Sequence, residues 1–188
     1  MGAMTTLPRS RPLTRGDLDA MPDDGHRYEL IDGVLIVSPA PVPHHQMVLA
    51  KLHLALAAAV EGTGLLVLFA PLDVVLSEDT VVEPDLLVAA RSDFGPRDLP
   101  LPPLLAVEVR SPSTWRVDRF LKHARYAAGG IASYWIVDPE APSITAWRLT
   151  EDGSYEEIVH AVGDEPFNAD EPVSVTIIPS QLTDDWSP

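Results

Sequence analysis

The sequence contains no cysteine, which excludes disulfide bonds and thiolate metal sites. It also lacks any apolar run that approaches the ~20 residues needed to cross a bilayer as a helix. The N-terminus shows no basic stretch followed by an apolar one, as a signal peptide would have. These absences together favour a cytoplasmic protein with no membrane segment, and we take that location as our expectation.

Basic residues are scarce, since 13 Lys and Arg stand against 28 Asp and Glu, for a net charge of −15. Proteins bind phosphate backbones through Lys and Arg, so this total argues against a nucleic-acid partner. The distribution argues otherwise. Twelve of the acids and only one base, Arg148, lie from Asp138 onward, whereas five of the 13 bases fall between Arg110 and Arg125. The net charge therefore does not exclude nucleic acid as a partner.

The hydrophobic pattern is that of a mixed α+β (mixed α/β) domain. We assign residues 1–13 to an N-terminal tail, whose Met1-Gly2-Ala3 resembles a vector remnant, and residues 14–188 to a single domain. A hairpin is expected around Asp32-Gly33, and the last three strands are expected to form an antiparallel meander. The other predicted elements are a short helix from Thr14, helices over 44–62 and 115–128, and strands over 65–69, 72–77, 86–90, 104–110 and 133–138.

One carboxylate lies inside an apolar strand, in the segment LLAVEVRSPST. Burying the charge of Glu108 there costs several kcal/mol unless a partner compensates for it. A second acid, Asp85, opens the apolar run of VVEPDLLVAA, with Glu83 on the same face. If the two strands bring Asp85 and Glu108 together, the carboxylates must share a proton or a cation, and their hard oxygens suit Mg²⁺ or Mn²⁺. The alternative is that each acid caps a turn or pairs with a nearby arginine.

The helix predicted over 115–128 places three charged residues along one flank of its apolar stripe. At about 100° per residue these are Asp118, Lys122 and Arg125. The long side chain of Lys122 could reach from the edge of the buried face to a nearby anionic site. The alternative is a surface pair between Asp118 and Lys122, worth only ~0.3–0.5 kcal/mol.

Several motifs, in their order along the chain, resemble those of the Uma2 (DUF820) family. They are YELIDG, SPAP and a histidine over 28–45, PD at 84–85, EVRSPST at 108–114, DRFLKHARYAAGG at 118–130 and YWIVDP at 134–139. That family is a group of bacterial restriction-endonuclease-like proteins, similar to the PD-(D/E)XK nuclease superfamily. The resemblance implies a restriction-endonuclease-like core, with a central mixed β-sheet flanked by helices and additional antiparallel strands.

The resemblance also implies a metal-dependent catalytic site. Asp85 and Glu108 would be catalytic and would hold Mg²⁺ (or Mn²⁺), with the carbonyl of Val109 as a further ligand. Lys122 would be the catalytic lysine that positions or deprotonates the attacking water. The superfamily pattern has a lysine two residues after the second acid, where this chain has Arg110. An arginine stays protonated and cannot act as a base, so this is a departure from the pattern.

Further residues are candidates for the same site. Arg110 and Arg125 would contact the substrate phosphate. Glu29 would be either a third metal carboxylate or a residue that orients the first helix. His45, at the start of a helix, would bind an anion or support a metal ligand, and Asp118 is a further candidate.

The implied function is hydrolysis of phosphodiester bonds in DNA or another nucleic acid by a metal-dependent endonuclease. The analogy with restriction enzymes favours a homodimer. The chief alternative is a catalytically degenerate nuclease fold that binds nucleic acid or protein. A different hydrolase with paired carboxylates, such as a glycosidase, is a third hypothesis.

Overall fold

The computed structural model describes residues 7, 8, 10–22, 24–111 and 121–183. The helices are α1 (Arg15–Leu18), α2 (Pro43–Ala59) and α3 (His123–Ala128), with 3₁₀ turns at Arg91–Asp93 and Pro179–Leu182. The strands are β1 (Arg27–Ile31), β2 (Val34–Ser38), β3 (Leu65–Phe69), β4 (Val74–Ser77), β5 (Thr80–Val82), β6 (Leu86–Ala90), β7 (Leu105–Val109), β8 (Ser133–Asp138), β9 (Ser143–Leu149), β10 (Tyr155–Val162), β11 (Phe167–Ala169) and β12 (Val175–Ile177).

The central sheet is mixed and has six strands in the order β10-β9-β8-β7-β6-β3. Its neighbours pair in antiparallel fashion, except for β7 and β8, which run parallel and are joined by the segment that contains α3. All five residues of β7 are buried, as expected for an interior strand covered on both faces. This places Glu108 in the middle of the sheet, near the carboxyl end of β7.

A second sheet has four strands in the order β2-β1-β5-β4. The predicted hairpin of β1 and β2 is confirmed, and it turns at Asp32 and Gly33, whose φ values are 52° and 73°. Gly33 is required for a second reason, because a Cβ at this position would lie 2.4 Å from the Cβ of Pro12. The turn therefore holds the N-terminal segment against the hairpin.

The hydrophobic core lies on both faces of the central sheet. On one face α2, with Leu52 and Leu56 fully buried, packs with β11 and β12. On the other face Tyr126 of α3 and Tyr134 of β8 pack with residues of the four-stranded sheet. Because the sheet is covered twice, a polar side chain within it must find its partners inside the protein.

The predicted C-terminal meander is wrong in its last strand. Strands β9 and β10 form the expected antiparallel pair, but β12 pairs with the unpredicted β11 in a separate two-stranded sheet. The chain turns at Gly163, which has a φ of 60°, and Phe167 becomes fully buried with its ring centroid 4.8 Å from that of Trp135. The free energy gained by burying this aromatic ring is greater than that of adding another strand to the edge of the central sheet.

The expected fold class is confirmed: a mixed central sheet is flanked by helices and accompanied by antiparallel strands. The first part of the helix predicted over 115–128, including Asp118, lies outside the described residues. Among the helices that are described, none is long and apolar enough to cross a membrane.

Candidate functional site

The site lies where the chain passes from the four-stranded sheet into the central one. Glu83, Pro84 and Asp85 form this passage between β5 and β6, and all three are buried. Strand β6 pairs with β7 so that Leu86 lies opposite Val107. Continued by one residue, the same antiparallel register brings Asp85 beside Glu108. Two acids that are 23 positions apart thus lie beside each other at the same end of two interior strands.

Three donors surround the carboxylate of Asp85. Its Oδ2 accepts hydrogen bonds from the backbone N–H of Val109 at 2.9 Å and from Nε2 of His45 at 3.1 Å. Its Oδ1 accepts one from Nη1 of Arg27 at 2.9 Å. Burial alone would raise the pKa of Asp85, but the hydrogen bond and charge of His45, with the charge of Arg27, hold it well below its usual range. Asp85 is therefore ionised at neutral pH.

The ring of His45 lies between two predicted metal ligands. Its Nε2 is 3.0 Å from the carbonyl oxygen of Val109, as well as 3.1 Å from Oδ2 of Asp85. Both oxygens are acceptors, so Nε2 must carry the proton that they share. Helix α2 supplies this residue from its first turn, which begins with Pro43. The two oxygens converge on one electropositive group.

The carboxylate of Glu108 belongs to a second buried cluster. Its Oε1 accepts hydrogen bonds from Nζ of Lys122 at 3.0 Å and from the hydroxyl of Tyr126 at 2.5 Å. Lys122 also lies 2.8 Å from Oε1 of Glu29, and that oxygen accepts the backbone N–H of Glu83 at 2.8 Å. Glu29, Glu108 and Lys122 are each no more than 3% exposed. The ammonium of Lys122 therefore bridges two buried carboxylates.

The structure brings together Glu29, His45, Asp85, Glu108, Val109 and Lys122, all of which were predicted for the site. It separates the two arginines predicted to contact phosphate. Arg110 pairs with Asp138, and Nη2 of Arg125 lies 2.5 Å from Oδ2 of Asp32. Both arginine side chains are 40% or more exposed, so they lie towards solvent. Asp118 lies outside the described residues.

Sequence reasoning missed Arg27, an arginine that binds Asp85 directly. Its Nε donates to Oε2 of Glu83 at 3.1 Å, and Nη2 donates to the carbonyl of the same residue. Burial would lower the pKa of Arg27, but the charges of Asp85, Glu29 and Glu108 raise it. Strand alternation could have found this residue, because positions 27 and 29 of β1 share one face.

Two other side chains have roles that the sequence did not assign. Tyr126 is fully buried and donates its hydroxyl to Glu108. Burial and the charges of Glu108 and Glu29 raise the pKa of that hydroxyl well above its usual value. Burial likewise raises the pKa of Glu83 to about 7, against the opposing charge of Arg27. No local pattern distinguishes a buried tyrosine that packs from one that also donates a hydrogen bond.

The site contains oxygen atoms of the kind that binds a hard divalent cation. Carboxylate oxygens of Asp85 and Glu108 and the carbonyl oxygen of Val109 are the ligands that Mg²⁺ and Mn²⁺ prefer. Within the described part of the chain, no group of three or more His, Asp or Glu side chains is arranged to hold a metal ion. Instead Arg27, His45 and Lys122 supply the compensating positive groups. A cation would have to take the place of some of these contacts.

Comparison with known proteins agrees with this fold. The chain is similar to a solved structure from Anabaena variabilis, described as "a putative nuclease belonging to DUF820", with a TM-score of 0.71 and 18% identity. The match covers 92% of this chain and 98% of the other. No curated protein matches the sequence. The fold is thus the one found in this group of restriction-endonuclease-like proteins.

The family follows from the sequence itself. The Uma2 family, described as "Putative restriction endonuclease", matches residues 16–183. Since this is most of the chain, the protein belongs to the Uma2 family, as the motifs over 28–139 predicted. The family description and that of the solved structure both indicate a nuclease.

Proposed function

We propose that this protein is a metal-dependent nuclease that hydrolyses phosphodiester bonds in DNA. One observation carries the proposal. A carboxylate oxygen of Asp85 and the carbonyl oxygen of Val109 converge on one point, beside a second buried carboxylate that is held by a lysine. In a sheet buried on both faces, so many charged groups would be costly if they had only a structural role.

In this proposal Asp85, Val109 and Glu108 would hold Mg²⁺ (or Mn²⁺). A bound divalent ion lowers the pKa of its water molecule and stabilises negative charge on a phosphate. Arg27 and His45 would have to give up their hydrogen bonds to Asp85 for its oxygens to hold the ion. Both side chains could then donate hydrogen bonds to a phosphate instead.

Lys122 would position the attacking water and stabilise the developing negative charge. Its Nζ lies between Glu29 and Glu108, which favours Glu29 as the residue that orients the lysine. The hydroxyl of Tyr126 fixes the same oxygen of Glu108. Arg110 and Arg125, each at least 40% exposed, would bind the flanking phosphates after leaving their present acidic partners. Asp118 stays a candidate of the same site.

A second function is favoured by the contacts of Asp85. Both of its oxygens already have protein donors, and Arg110 stands where the superfamily has lysine. A degenerate nuclease fold that binds nucleic acid or protein without cleaving it would have this arrangement. It would need no metal, and its buried charges would serve specificity of folding instead.

The two functions are separated by a cleavage assay with supercoiled and single-stranded DNA in Mg²⁺ or Mn²⁺. We expect the wild type to cut, and Asp85→Asn and Glu108→Gln to lose cleavage. Glu156→Gln changes an exposed residue of β10, should cleave DNA like the wild type and serves as the control. If the wild type cuts no more than an Asp85→Asn/Glu108→Gln double variant, the nuclease proposal fails.

Three broader features belong to the same proposal. We propose that residues 14–188 act as one domain, that the protein works in the cytoplasm, and that it forms a homodimer. Sedimentation velocity tests the dimer, and a purely monomeric protein at assay concentration would contradict it.

A further inference from the structure

A cavity of about 710 Å³ opens directly beside Asp85. It is bounded by the start of β1, by α2 and by the end of β3 with the two residues that follow it. Its volume lies within the ~300–1,000 Å³ typical of sites for small ligands. The cavity is therefore large enough for a nucleoside, and Asp85 of the proposed catalytic site is among its lining residues.

One wall of the cavity presents an aromatic ring. Phe69 is 54% exposed, and its ring meets that of His53 edge to face with centroids 5.2 Å apart. Nε2 of His53 in turn lies 3.3 Å from the carbonyl oxygen of Val67. Leu54 beside them is 69% exposed. An aromatic ring that packs against a neighbouring ring yet stays open to solvent is a platform on which a base can stack.

The polar part of the lining does not repel a ligand that carries negative charge. Among the described residues that line the cavity, Asp85 is the only acid, and it is paired with Arg27 and His45. The cavity therefore carries no excess negative charge, although the chain has a net charge of −15.

Binding of a DNA duplex through its backbone would need several free cations. Among the described lining residues the only lysine or arginine is Arg27, which is bound to Glu83 and Asp85. Affinity at this cavity must therefore come from the base more than from the phosphate. An apolar, aromatic-walled cavity accepts a base only when that base is unpaired.

We propose that this cavity receives an unpaired base of single-stranded nucleic acid, stacked on Phe69, with the adjoining phosphodiester directed to Asp85. The inference rests on the proposed function, for which it names single strands, or duplex ends and distortions with unpaired bases, as the substrate class. It predicts that single strands are bound in preference to duplex.

The test measures binding separately from cleavage. Fluorescence anisotropy in EDTA is recorded with a labelled oligothymidylate and with a labelled hairpin duplex. We expect the wild type to bind the single strand more tightly, and Phe69→Ala to weaken that binding about tenfold or more while duplex binding stays the same. Phe69→Tyr should retain binding. Val162→Ala, at an exposed apolar residue on β10, is the control and should bind as the wild type does.

The outcomes distinguish the cavity from the nuclease activity. If Phe69→Ala binds the single strand as the wild type does, the base-binding proposal is overturned even in an enzyme that cleaves. If the wild type shows no preference for the single strand, the proposal is also overturned, and a protein segment becomes the better candidate for the cavity. Single-strand binding that depends on Phe69 in a protein without cleavage supports the cavity and refutes only the nuclease.

Discussion

Lys122 offers the sharpest test of how the buried charges of the site stabilise this protein. Its ammonium lies 2.8 Å from Glu29 and 3.0 Å from Glu108, and all three side chains are almost fully buried. Lys122→Met keeps most of the side-chain length and removes only the charge. Two buried carboxylates then face each other without their shared cation.

We expect this substitution to lower the free energy of unfolding by about 3–5 kcal/mol, the usual cost of breaking a buried ion pair from one side. At ~2–4 °C per kcal/mol for a chain of this size, Tm should fall by about 6–20 °C. Urea unfolding followed by tryptophan fluorescence measures the loss. Arg148→Met, which removes an exposed cation on β9, is the matched control and should change stability by less than about 0.5 kcal/mol.

A double variant shows whether charge is the cause. Glu29→Gln removes one carboxylate charge, yet its amide oxygen can still accept the N–H of Glu83 that Glu29 binds at 2.8 Å. Lys122→Met/Glu29→Gln should therefore be more stable than Lys122→Met alone. If the two losses simply add, or if Lys122→Met unfolds within about 1 kcal/mol of the wild type, the account of a shared buried cation is wrong.

Three further predictions follow from other contacts. Arg27→Met removes the cation nearest Asp85. The affinity for Mn²⁺, measured by calorimetry, should therefore rise about tenfold. An unchanged or lower affinity would count against competition between Arg27 and the metal ion. Burial lowers the pKa of His123, so the stability that this residue contributes is present above about pH 6.5 and is lost as the pH falls through its folded-state pKa. Between about pH 7.5 and 5, the urea midpoint should therefore fall less for His123→Gln than for the wild type. Parallel falls in the two proteins would contradict this. Gly33→Ala and Gly25→Ala each place an alanine at a positive φ, but only at position 33 would the new Cβ lie 2.4 Å from the Cβ of Pro12. The Tm of Gly33→Ala should therefore be lower than that of Gly25→Ala. Equal Tm values would show that the clash relaxes.

Local patterns were sufficient to predict the elements that build the site. The apolar runs of β6 and β7 located the two buried strands, and the carboxylates within them indicated that Asp85 and Glu108 needed compensation. The turn at Asp32-Gly33 was evident because few residues tolerate a positive φ. Helical periodicity placed Lys122 at the edge of the buried face, and the structure shows its ammonium between two carboxylates.

The sequence could not show which charges meet. The sequence assigned no role to Arg27 and placed Glu83 only on the same face as Asp85. Their contacts arise because β1 and β5 pair in one sheet while the chain after Asp85 enters the other. The strand β11 was missed because its three residues pair only with β12, under a sheet that buries Phe167. Such contacts depend on long-range packing, which has no local periodicity.

The sequence by itself determined most of the elements, the family motifs and the need to neutralise Glu108, because strand burial and charge are local properties of the chain. Tertiary structure alone decided how that need is met. In the described structure Lys122 and Tyr126 hold Glu108, while Arg27 and His45 hold Asp85. The physical reason is that hydrogen bonds and ion pairs require atoms within about 3 Å, and only the packing of two sheets and two helices brings these distant residues that close.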